Sequence, residues 1–214
     1  DLRVKDSDHV KKGDIVVRLD ETQVRASFAI VTKALDEMEA RYPDLLKEVY
    51  RHATVQKIAE ILQRLISERI SVRNMKLILE SLAHWGSREK DVLALVEHVR
   101  GSLGRYISNK FAHGNDLRVL LLSPEFEDVM RKGIRQTSAG SFLNLEPAAS
   151  DELMDRLALG LDSLHFAQKD LVLLASVDVR RYIKKFIEGR FRELDVVSFG
   201  EISDSISVNV IKTL

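Results

Sequence analysis

The sequence predicts an α+β fold: a short N-terminal β-hairpin segment, a central helical subdomain and a C-terminal α/β sandwich subdomain. Three observations predict it. Turn signals break up the first 25 residues, and apolar residues then recur at helical spacing from Phe28 to Gly114. After Gly114 come two continuous apolar runs, LRVLLL (117–122) and LVLLA (171–175), short enough to be buried strands. Helical stretches alternate with these and further strands, the texture of a sheet covered by helices. The resulting boundaries are 1–35, 36–114 and 115–214.

In chain order, LRV and IVVRL flank Lys11-Lys12-Gly13-Asp14, which reads as a turn between two short strands. Pro43 starts a helix carrying Leu45, Leu46 and Val49. Val55, Ile58, Ala59, Leu62, Leu65 and Ile66 form one apolar stripe, and Met75, Ile78, Leu79, Leu82 and Trp85 a second. A third, Val92, Leu95, Val96, Val99, Leu103, Tyr106 and Ile107, lies on a helix beginning near Ser87. Ser123-Pro124-Glu125 supplies an N-cap, a proline at the first helical position and a first-turn acid. SFLNL (141–145) reads as a strand, followed by a helix on Leu153, Leu157, Leu161 and Leu164. LVLLA leads into a helix through Tyr182, Ile183, Phe186 and Ile187. DVVSF (195–199) and SVNVIKT (207–213) are the last strands, separated by a capping box, Ser198-x-x-Glu201.

The totals exclude several classes. With 214 residues the chain can bury a core. Its 33 basic residues balance 33 acidic ones, so no global field draws it to nucleic acid or an anionic membrane. The absence of cysteine removes disulfides, thiolate zinc sites and cysteine nucleophiles, and fits a cytoplasmic protein. No run approaches the roughly 18–20 apolar residues that span a bilayer. Asp1 rather than Met opens the chain, with no charged-then-apolar leader, as expected of a fragment or processed chain.

The segment RNMKLILESLAHWGSREKD (73–91) gathers acids, a histidine and a tryptophan. Glu80 and His84 stand at i, i+4 on one helix face. Zinc would want a second histidine at that spacing, and no two of the six histidines lie within ten residues. The segment reads better as a helix junction. Trp85 closes the second stripe, Gly86 takes the left-handed conformation and Ser87 caps the next helix. Glu89 and Asp91 then fall in its first turn, where the helix dipole favours negative charge.

GIRQTSAGS (133–141) has the glycines and hydroxyls of an anion-holding loop but lacks the lysine and spacing of a phosphate loop. It reads as a polar helix-to-strand connection. Asp178, Arg180 and Arg181 sit where a strand becomes a helix, the ligand edge of an α/β sheet. Ion pairing is the favoured reading of this group. The alternative is a small α/β enzyme using Asp178 and a histidine. An RNA-binding sheet is disfavoured, because 6% aromatic content and no K/R-G-F/Y-type string leave it without a stacking platform.

ISVRNMKLILESLAHWGSREKDVLALVEHVRGSLGRYI (70–107) resembles the signature region of the type III secretion export gate family, closer to its virulence branch than to its flagellar one. The likeness continues through LLSPEFEDVMRKGIRQTSAGSFLNLEP (121–147), VLLASVDVRRYIKKFIEGRF (172–191) and VVSFGEISDSISVNVIKTL (196–214), covering about residues 36 to 214. The resemblance implies part of the large cytoplasmic domain that follows the family's transmembrane helices, on the cytoplasmic face of the bacterial inner membrane. In that family these domains form nine-membered rings that receive export chaperone–substrate complexes, gatekeeper and stalk proteins. The helical part would match the third subdomain and the α/β part the ring-building fourth. No catalytic residue, metal or cofactor comes with the family. Arg88, Glu89, Arg100, Arg105, Arg180 and Arg181 are the residues expected in ion pairs between protomers or subdomains.

DLRVKDSDHVKKGDIVVRLDETQVRASFAIVTKALDEM (1–38) is instead similar to the periplasmic adaptors of type I secretion, whose string of this kind forms half of a lipoyl-like module. The carrier lysine is missing at the turn. The two resemblances meet around LDEMEAR (35–41), as expected of a junction between sequences of different origin; a divergent native first subdomain and an adaptor fragment are the other readings.

Overall fold

The computed structural model describes residues 21–137, 140–162, 164 and 171–214. The expected turn at Lys11–Asp14 and its two strands lie outside the described residues.

Among the described residues six helices come first, and three of them, the third, fourth and fifth, start on a side-chain cap. α1 (Glu21–Arg41) runs unbroken across the expected boundary at residue 35. α2 (Pro43–Tyr50) opens on its proline. α3 (Val55–Ser67) is capped by Thr54, whose hydroxyl accepts from Lys57 N–H at 3.2 Å. It ends with the Ile70 N–H on the Leu65 carbonyl and the Arg69 N–H on the Ile66 carbonyl. Arg69 fills the left-handed position of that ending, at φ 60°, where glycine is usual. α4 (Met75–Trp85) is capped by Asn74.

The third stripe does not form one helix. α5 (Val92–Ser102) and α6 (Gly104–Phe111) separate at Leu103. A Cβ on Gly104 would lie 3.2 Å from the Glu201 backbone, so the sheet half presses against the chain at the break. Tyr106, expected on the apolar stripe, is instead 55% exposed, as is Ile66 at 57%.

The second half holds a four-stranded parallel sheet of order β5-β4-β1-β6, built from β1 (Asp116–Leu121), β4 (Val172–Ala175), β5 (Asp195–Ser198) and β6 (Ser207–Thr213). Between β1 and β4 lie α7 (Pro124–Gly133), the hairpin β2 (Ile134–Thr137) and β3 (Gly140–Leu143), and α8 (Pro147–Asp162). α9 (Val177–Ile187) joins β4 to β5. The expected polar connection at 133–141 is thus a hairpin, closed by a glycine at φ 126°.

Both faces of the sheet are covered, which explains the continuous apolar runs. Leu117, Val119, Val172, Leu174 and Val197 face the helical half. Leu120, Leu122, Leu173, Ala175 and Val196 face α7, α8 and α9. The segment from Phe199 to Ile206 carries the chain from one edge of the sheet to the other. Glu201, Ile202 and Ile206 on it lie against the helical half.

Candidate functional site

The densest polar constellation lies between the two halves, at the β5 edge. Glu68 ends α3, Glu97 and Arg100 lie one helical turn apart on α5, Arg180 is on α9, and Glu201 follows β5 in a 3-10 turn. Arg180 grips Glu97 with two hydrogen bonds (Nε–Oε2 2.7 Å, Nη2–Oε1 2.5 Å) and Glu68 with two more, at 2.6 and 3.2 Å. Arg100 donates to the same Glu68 oxygen that takes the shorter Arg180 bond, Oε2 (2.9 Å), and to Glu201 (2.5 Å). Both guanidiniums also reach the Val196 carbonyl on the edge strand, at 3.4 Å each.

Arg100, Arg180 and Glu201 are essentially inaccessible, at 1%, 0% and 1% exposure. Ions taken so far from water persist only with partners this close. Burial pushes the Glu68 carboxyl up, but Arg180 and Arg100 outweigh it and leave it below the ordinary carboxylate range. Burial likewise opposes the charge on Arg180, and Glu97 and Glu68 raise its pKa above the usual arginine value.

Two further cations extend the layer along β5. Arg69 reaches Asp195 at 2.9 Å and Glu193 at 3.2 Å, and Lys184 donates to the Leu194 carbonyl at 2.9 Å. The left-handed backbone at Arg69 costs about 1–2 kcal/mol, and from it the side chain reaches Glu193 and Asp195.

The strand-end edge at 176–181 is filled from within. Glu127 of α7, only 5% exposed, accepts from the Ser176 N–H (2.7 Å) and hydroxyl (2.6 Å) and from Arg131 (2.8 Å). Arg131 then holds Asp178 through two bonds, at 2.6 and 3.2 Å. These bonds keep the Asp178 carboxyl below its ordinary range. The partner of Asp178 is therefore an arginine rather than a histidine. Arg181 turns the other way, to Asp91 (3.2 Å) and the Tyr182 hydroxyl (2.7 Å).

At 73–91, Glu80 lies 3.6 Å from Lys76, its neighbour one turn back. His84 packs edge-on against Trp85, and His98 stacks flat on the same ring at 3.8 Å. Burial depresses the His98 pKa against the pull of Glu89 and Glu97. No group of three or more acids and histidines among the described residues is arranged to hold a metal.

The junction reading needs two corrections. Gly86 is right-handed, at φ −60° and ψ −25°. It is glycine because a Cβ would sit 2.6 Å from the Leu82 carbonyl and 2.7 Å from His52 Cβ. The cap of α5 is Asp91, which accepts from Leu93 N–H at 3.0 Å, four residues later than Ser87. Glu89 lies before the helix and accepts from Asp91 N–H at 2.8 Å.

Of the six arginine and glutamate positions singled out by sequence, the structure brings only Arg100 and Arg180 together. Arg88 lies over Trp85, and Arg105 is exposed without an ion pair among the described residues. Sequence reasoning missed Glu68, Glu97 and Glu127, and read Glu201 only as the acid of a capping box, without its bond to Arg100. The available signal was the position of the arginines: Arg100 falls within the stripe of Val96, Val99 and Leu103, and Arg180 beside Val179 and Ile183. An arginine on an apolar stripe needs buried carboxylates somewhere.

Residues 21–207 match the FHIPEP family. This chain belongs to that family. The match begins in α1, earlier than the resemblance read from the sequence. Among curated relatives, the invasion protein InvA of Salmonella typhimurium is 67% identical over 180 residues, covering 84% of this chain and 26% of InvA. The chain thus spans about a quarter of the length of that relative. Its fold superposes on the crystal structure of the C-terminal domain of InvA with a TM-score of 0.83 and 65% identity, over 87% of this chain and 57% of that one. The nonameric EPEC SctV-C gives a TM-score of 0.78 at 37% identity (87% and 56% covered). The Chlamydia pneumoniae CdsV and CdsO complex gives 0.81 at 40% identity (87% and 55%). The α+β architecture is that of the C-terminal domain of InvA, and it is shared with the nonameric EscV cytosolic domain from the type III secretion system (TM-score 0.73, 38% identity, 85% and 54% covered). No helix among the described residues is long and apolar enough to cross a membrane.

Proposed function

We propose that this chain builds and lines a homo-oligomeric ring in the cytoplasmic domain of a type III secretion export gate, where it receives other proteins rather than performing catalysis. The observation that carries this reading is the shared fold and 38% identity with the EscV cytosolic domain from a type III secretion system, which is itself nonameric. A relative of the same fold solved together with CdsO supports a docking role. The polar residues of the strand-end edge are tied to one another, which favours a structural use of Asp178 and Arg131 over a catalytic one. In this reading, 36–114 and 115–214 are the third and fourth subdomains of the family's cytoplasmic domain. The partners are export chaperone–substrate complexes, gatekeeper and stalk proteins, and a transmembrane region elsewhere in the gate holds the assembly on the inner membrane.

Sedimentation of the chain up to about 1 mM, where weak interfaces begin to fill, alone and with the stalk protein of the same secretion system, tests this. Growing mass or a stalk complex is expected. A monomer throughout that binds neither stalk nor chaperone–substrate complex contradicts it.

A further inference from the structure

We draw no further inference here: the strongest candidate, the β6 edge of the parallel sheet, unpaired among the described residues and carrying the exposed Val208 and Val210, is an apolar face that nothing in the structure shows to be covered by any particular partner.

Discussion

The two edges of the parallel sheet end differently. At β5 the outermost carbonyl, that of Val196, meets two buried guanidiniums, and Asp195 meets Arg69 and Lys184. At β6 no further strand follows among the described residues. Val208 and Val210, paired with the buried Leu117 and Val119, are themselves 40% and 45% exposed. The β5 edge is closed inside the molecule by ions from both halves, Arg69 and Arg100 from the helical one and Arg180 and Lys184 from α9, while the β6 edge is left to its surroundings. Ion pairs here join two layers of one chain, and the surface left over is where other chains can act.

The largest test of this contrast is Arg180→Met. It leaves Glu97 and Glu68 without their strongest partner and is expected to cost about 3–5 kcal/mol in urea unfolding. A loss below about 1 kcal/mol would mean that apolar packing alone closes the β5 edge.

Acid is the next, milder probe. The Glu68 carboxyl titrates below its unfolded range, so its stabilisation is present above about pH 4.3 and is lost as pH falls through the depressed folded value. Glu68→Gln should therefore be the less stable protein at neutral pH and should lose less stability than the parent between about pH 5 and 3. Parallel acid curves would remove Glu68 from the account. The smallest effect belongs to the other edge: Val210→Thr should change stability by no more than about 0.5 kcal/mol in the same unfolding assay.

Local features were legible in the sequence because their causes lie within four residues. Pro43, the Ser123 cap and the Ser198–Glu201 box all stand where expected. So do the strands at 117–122, 171–175 and 207–213, to within a residue at their ends. What failed depended on distant groups. The α5–α6 break answers to Glu201, about a hundred positions downstream of Gly104, and Gly86 answers to His52. The charge layer was half visible. Its arginines stood out on apolar stripes, but Glu68 and Arg180 are 112 residues apart, and no spacing rule joins them. Of the hairpin, the second strand was read at 141–145, but the first, at 134–137, was hidden because its polar residues look like a loop until they pair.

The charge layer makes the helical and sheet halves one cooperative unit. Hydrogen exchange of the β4 amides (Val172–Ala175), compared with urea unfolding read by Trp85 fluorescence in the helical half, tests it most directly. One free energy is expected for both probes, falling together in Arg180→Met. Protection of β4 that persists after Trp85 has unfolded would contradict it.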